Sequence, residues 1–163
     1  MNFLKNLTAK QIIWGSIVIT AIIGALMLIR KLTPYKKNMI KVANEEWLRF
    51  GKQTLGKDGK YIKKGFIETD DGFWQRVGDY WKQALNKKYT GKDREVPWSA
   101  AFISWVMAKS GGLFNIPFKK SSSHSTYIRE YVKNRKENKL KAPFVAYRLN
   151  EKSAEIGDLV CYS

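Results

Sequence analysis

The chain has 163 residues, 44% hydrophobic and 27% charged, enough for one membrane segment and one small domain and too apolar for disorder. Thirty basic residues against 14 acids leave a net charge of +16, which calls for an anionic partner such as lipid headgroups, wall polymer or nucleic acid. A single cysteine, Cys161, and a single histidine, His124, exclude an internal disulfide, a cysteine zinc site and a multi-histidine centre, so neither metal nor cofactor is expected.

Residues 12–29 run without a charge, with lysines before them and Arg30-Lys31 directly after. A cleavable signal would have a shorter apolar core and a small-residue cleavage site. The pattern predicts a retained N-terminal transmembrane helix, so residues 1–31 read as a single-pass membrane anchor with the lipid bilayer as partner. Residues 32–39, with Pro34, Lys36 and Lys37, read as a basic juxtamembrane linker. Residues 40–163 then form one α+β domain.

From about residue 39 to 53, Ile40, Ala43, Trp47 and Phe50 follow a helical period, with Glu45, Glu46 and Arg49 opposite. Gly56-Lys57-Asp58-Gly59 marks a tight turn, and residues 60–66 a short extended or irregular segment. A second helix, capped by Asp70 or Asp71, carries Phe73, Trp74, Val77, Tyr80, Trp81 and Leu85 on one stripe. Trp74, Trp81 and Trp105 are expected in the core rather than on a ring-binding platform. The charged loop over 86–95 has no phosphate-binding glycine pattern, which argues against nucleotide hydrolysis.

The central stretch is Val96-Pro97-Trp98-Ser99-Ala100-Ala101-Phe102-Ile103-Ser104-Trp105. Pro97 suits a helix start, where a missing donor costs nothing. Phe102, Trp105 and Val106 make an apolar face, and Gly111-Gly112 offers a left-handed stop. Ser99 falls in the first turn, a position that from spacing alone suits a capping or packing serine better than a nucleophile beside unpaired N–H groups. One serine of Ser121-Ser122-Ser123-His124-Ser125-Thr126 is expected to cap a third helix, running to about residue 135 with Tyr127, Ile128, Tyr131 and Val132 inward. His124 lies at its start, either as a structural hydrogen-bonding group or as a base. Residues 144–148 are β-rich, and Gly157-Asp158-Leu159-Val160-Cys161-Tyr162 reads as a turn feeding a buried strand.

Three blocks thus stand in order: Trp98-Ser99-Ala100-Ala101-Phe102-Ile103-Ser104-Trp105, Ser123-His124-Ser125-Thr126-Tyr127-Ile128, and Gly157-Asp158-Leu159-Val160-Cys161-Tyr162. Together they resemble the papain-like cell-wall peptidase and amidase superfamily, CHAP-type amidases above all. Within it, the chain is most similar to a bacterial and phage domain family of unassigned function that carries the same WSAAFISWV block. The resemblance implies an α+β, papain-like helix-and-small-sheet domain behind the anchor, C-terminally incomplete because the chain stops before the strand that bears the enzymes' histidine. In those enzymes a cysteine opens the central helix as nucleophile. Ser99 occupies its position here, and a serine hydroxyl needs a well-placed base. His124 is the one histidine able to serve.

Two functions follow as expectations. One is a membrane-anchored peptidoglycan hydrolase, cleaving an amide or peptide bond with Ser99 and His124 as catalytic residues, in a bacterial envelope or virion membrane. The other is a non-catalytic structural or assembly protein that links a viral shell or cell wall to a bilayer through virion or envelope partners. The scattered charges follow no recognition-helix pattern, which argues against nucleic acid. If the chain is catalytic alone, Ser99 and His124 lie within one water of each other. The serine substitution and missing strand together predict little hydrolysis from the isolated chain.

Overall fold

The computed structural model describes residues 33–111 and 116–161. Four helices and one hairpin follow in order: α1 (Pro34–Arg49), β1 (Thr54–Leu55), β2 (Tyr61–Lys63), α2 (Phe73–Leu85), α3 (Ser99–Gly111) and α4 (His124–Lys136).

Helix α1 starts earlier than the apolar period suggests. Thr33 caps it, its hydroxyl accepting the Lys36 amide at 3.3 Å, and Pro34 supplies the preset first turn. The segment expected as a linker is therefore helical, with Tyr35 and Met39 in the core. The buried stripe is also rotated. Trp47 is exposed and donates its indole N–H to the Gln53 carbonyl at 2.9 Å, whereas Glu46, expected on the polar side, is buried.

Strands β1 and β2 pair antiparallel across the Gly56–Gly59 turn. Helix α2 is capped by Gly72 in the left-handed region (φ +80°), not by a side chain. Asp70 instead closes the preceding turn. Its carboxylate accepts the Ile67 amide at 2.9 Å, and its carbonyl accepts from Phe73 and Trp74.

Helix α3 packs against both α1 and α2, and its buried residues lie all round it: Ala100, Ala101, Ser104, Trp105, Val106 and Met107. Such a helix carries little polar face, which is why its sequence reads as almost continuously apolar. Tyr80 and Trp81 of α2 are sealed against it, with the Tyr80 ring 5.0 Å from Trp105 and 5.2 Å from Phe102. Trp81 and Trp105 are core residues as expected; Trp74 is half-buried under the Lys92 ammonium, 4.3 Å from its ring. The loop into α3 passes close behind α2 at Gly91, where an added Cβ would stand 1.9 Å from the Glu68 carbonyl oxygen.

Helix α4 joins this core through a second aromatic layer. Phe118 lies 5.1 Å from Tyr127, and Phe144 stacks on Tyr131 at 5.0 Å while meeting Tyr35 of α1 edge-on at 6.2 Å.

Three expectations are corrected. No helix among the described residues is long and apolar enough to cross a membrane. Helix α3, the most apolar, has 13 residues and spans about 20 Å against a hydrocarbon core of about 30 Å; α1 carries Lys36, Lys37, Lys41 and Arg49. The predicted helix over 12–29 lies outside the described residues, so the single-pass anchor and the membrane localisation built on it are without support.

Secondly, residues 144–148 form no strand. Their backbone is taken up by α4: the Ala146 amide donates to the Tyr131 carbonyl at 3.1 Å, and Asn134 donates to the Phe144 carbonyl at 3.0 Å. Thirdly, the apolar run after Gly157 is not a buried strand. Asp158 folds back to accept the Glu155 amide at 2.9 Å and pairs with Lys36 at 2.8 Å, leaving Leu159 and Val160 exposed. Gly157 is held in the left-handed region (φ +89°) against the Lys36 stem. The domain is α+β, with helices predominating and a single two-stranded sheet among the described residues.

Candidate functional site

Two helix starts meet at one place. Ser99 is the first residue of α3 and His124 the first of α4. Both are exposed, and Ser99 Oγ lies 2.8 Å from His124 Nε2. The hydroxyl at the first turn of α3 therefore turns to the imidazole rather than to its own helix. Two grooves on the described surface, about 680 Å³ beside Trp105 and Lys109 and about 360 Å³ beside Phe118 and Phe144, are not lined by this pair.

The other ring nitrogen has its own partner. His124 Nδ1 is hydrogen-bonded to the Tyr127 hydroxyl one helical turn on, a pairing that the i, i+3 spacing allows. For Nε2 to accept the Ser99 proton, Nδ1 must carry the ring's hydrogen and donate it to the tyrosine oxygen. Tyr127 is almost fully buried, and burial, with the Cys161 thiol adding to it, pushes its hydroxyl up to about 12. It stays neutral, so it orients the ring without supplying the negative charge of an aspartate.

Backbone donors lie beside the hydroxyl. The ladder of α3 opens with the Phe102 amide on the Trp98 carbonyl at 2.9 Å, so the N–H groups of Ser99, Ala100 and Ala101 precede it. Ala100 and Ala101 are both small and buried, which keeps this turn close to its neighbours. The turn that leads into α4 carries a run of hydroxyls, Ser121, Ser122, Ser123 and Ser125. Lys87, from beyond the end of α2, reaches it with Nζ 3.2 Å from Ser122 Oγ.

Ser123 occupies the N-cap of α4, but its hydroxyl meets Ser125 Oγ at 2.9 Å instead of capping the backbone. Sequence reasoning placed Ser99 and His124 correctly at two helix starts. It read Tyr127 only as an inward apolar residue, although the His-x-x-Tyr spacing was available as a signal. Among the described residues no group of three or more His, Cys, Asp or Glu side chains comes together as a metal site.

A second polar cluster lies away from the site. Arg76 grips the buried Glu46 carboxylate through Nε at 2.8 Å and Nη2 at 2.6 Å, and the Tyr80 hydroxyl donates to it at 2.5 Å. Burial works to raise the Glu46 pKa, but the hydrogen bonds from Arg76 and Tyr80 and the charges of Arg76 and Arg49 outweigh it and hold the group below the usual carboxylate range. Arg76 also lies 4.7 Å over the Trp105 ring, tying α1, α2 and α3 together.

No curated protein and no solved structure matches the chain. A family model described as "Uncharacterized protein conserved in bacteria (DUF2272)" matches residues 68–163, the part that carries α2, α3, α4 and both halves of the Ser99–His124 pair. The chain belongs to this conserved bacterial family.

Proposed function

We propose that the protein is a serine-dependent hydrolase of amide or peptide bonds, with peptidoglycan as the substrate class. The observation that carries this reading is the 2.8 Å hydrogen bond between an exposed serine at a helix start and the one histidine of the sequence. Peptidoglycan comes from the resemblance of the Trp98–Trp105 block to papain-like cell-wall amidases, in which the same helix start bears the nucleophile.

In the first step Ser99 Oγ attacks the carbonyl carbon and its proton passes to His124 Nε2. The oxyanion forms beside the first-turn amides of α3. The C–N bond then breaks, the amine leaves with the proton from Nε2, and an acyl ester remains on Ser99. Water, deprotonated by the same nitrogen, hydrolyses that ester and restores the serine. Tyr127 holds the ring's tautomer throughout.

The second reading is a non-catalytic binding or assembly module. It is favoured by the exposed apolar side chains of Leu149, Ile156 and Val160 along the C-terminal segment, a surface suited to a protein partner. Zymography on purified wall material separates the two. The sequence alone predicts little hydrolysis; with Ser99 and His124 in contact, the expected result is a clearing band from wild type that Ser99→Ala loses while staying folded. Absence of clearing by the wild type, together with no labelling of Ser99 by a fluorophosphonate, would sink the hydrolase reading.

A further inference from the structure

One buried hydroxyl bridges α3 and the turn that delivers His124. Ser104 has no exposed surface, and its Oγ lies 3.0 Å from the Ser121 carbonyl oxygen and 3.0 Å from the Ser121 amide nitrogen. The hydroxyl donates to the first and accepts from the second. Ser110, the other fully buried serine of α3, bonds back to the Val106 carbonyl of its own helix at 2.6 Å, the usual solution for a buried helical serine. Ser104 gives up that solution and spends both capacities on a loop 17 residues away.

The loop is braced onward from there. Ser121 Oγ accepts the Ser123 amide at 3.0 Å, and Ser123 is the residue before His124. Helix α3 thus holds Ser99 at its start and Ser104 further along, and the second fixes the turn from which the partner of the first emerges. Without it, α4 would keep the Phe118 and Phe144 aromatic layer and the Lys119–Glu130 ion pair, and the Ser121–Ser123 turn would keep only the exposed Lys87 contact to Ser122 from outside its own segment.

We propose that Ser104 is a positioning residue for the Ser99–His124 pair: its two hydrogen bonds to Ser121 hold the turn in the register that brings His124 Nε2 within reach of Ser99. The kinetic consequence rests on the hydrolase reading; the geometric one does not. A misplacement of about 1 Å at such a pair is enough to cost about 10²-fold in rate.

The sequence holds one histidine, so ring ¹⁵N signals of the labelled full chain report on His124 without ambiguity. Ser99→Ala defines the signals of the ring with its serine partner removed. In Ser104→Ala, with α1 and α2 amide shifts unchanged, the ring signals should move towards the Ser99→Ala positions, and fluorophosphonate labelling of Ser99 should slow about 10²-fold. A folded Ser104→Ala protein with wild-type ring signals overturns the proposal. If the wild type neither labels at Ser99 nor clears wall material, the hydrolase reading fails while the ring signals still decide the role of Ser104. Should Ser104→Ala not fold, amide exchange in the wild type decides: Ser121 protected relative to Ser122 supports the bridge, and an unprotected Ser121 amide overturns it.

Discussion

Ser99 and His124 stand 25 residues apart in the chain, yet Ser99 Oγ and His124 Nε2 are in direct hydrogen-bond contact at 2.8 Å. Each is the first residue of its helix, so two positive helix ends converge on one exposed spot. In the mechanism proposed above, a carbonyl held there meets Ser99 as nucleophile, His124 as proton acceptor and the backbone donors together.

Replacing the proton acceptor tests that convergence directly. His124→Gln keeps a polar side chain of similar size but cannot carry a proton away from Ser99. Turnover of wall substrate should fall by about 10²–10⁴-fold with the thermal midpoint little changed. A variant with wild-type turnover would remove His124 from the chemistry.

Tyr127→Phe keeps the buried ring and deletes the hydroxyl that holds His124 Nδ1. Because that hydroxyl is neutral, it orients the imidazole and does not offset its charge. The expected loss is about tenfold in kcat, equal to about 1.4 kcal/mol, with KM unchanged. An unaltered kcat would show that the ring is oriented by Ser99 alone.

Glu46→Gln keeps one acceptor oxygen but removes the negative charge that Arg76 and Tyr80 share, leaving the part-buried guanidinium with only the Asp79 carboxylate as its counter-charge. Destabilisation of about 3–5 kcal/mol is expected in denaturant titration. The pH dependence follows from the depressed Glu46 pKa. Its stabilisation is fully present above the ordinary glutamate range and is lost as pH falls through the lower folded value. The variant should therefore show a flatter acid limb than the wild type; parallel limbs would place the acid sensitivity elsewhere.

Four tyrosines should resist alkali. Burial pushes the hydroxyls of Tyr35, Tyr127 and Tyr131 up to about 12, and that of Tyr80, which also hydrogen-bonds to Glu46, higher still. The fold favours their neutral forms, so stability is full below about pH 10, where unfolded tyrosine begins to ionise, and falls as pH rises beyond it. Ultraviolet titration should show these four ionising only on alkaline unfolding. Ionisation of Tyr35, Tyr80, Tyr127 and Tyr131 near pH 10, with the fold intact, would contradict this packing.

Much of this protein is decided by local chemistry. The period of Val77, Tyr80 and Trp81, the proline and small residues before Phe102, and the serine run before His124 place three helices and put Ser99 and His124 at two helix starts, because caps and apolar spacing act within a few residues. Composition alone argues against a cluster-type metal site. Other features depend on what lies across the fold. Glu46 is buried because Arg76, 30 residues on, arrives with a guanidinium to meet it, and the apolar stripe of α1 turns accordingly. Residues 144–148 have the composition of a strand, but pairing needs a neighbour with free backbone groups, and α4 took theirs instead. The run after Gly157 likewise lost its strand to the Lys36–Asp158 pair. The contact between Ser99 and His124, the Tyr127 hydroxyl behind it and the Ser104 bridge all require α3 and α4 to be brought together. No periodicity within either helix encodes that meeting; it comes from the Ser104 hydroxyl, which ties α3 to the turn before α4, and from the aromatic layer, which ties α4 to Tyr35 of α1.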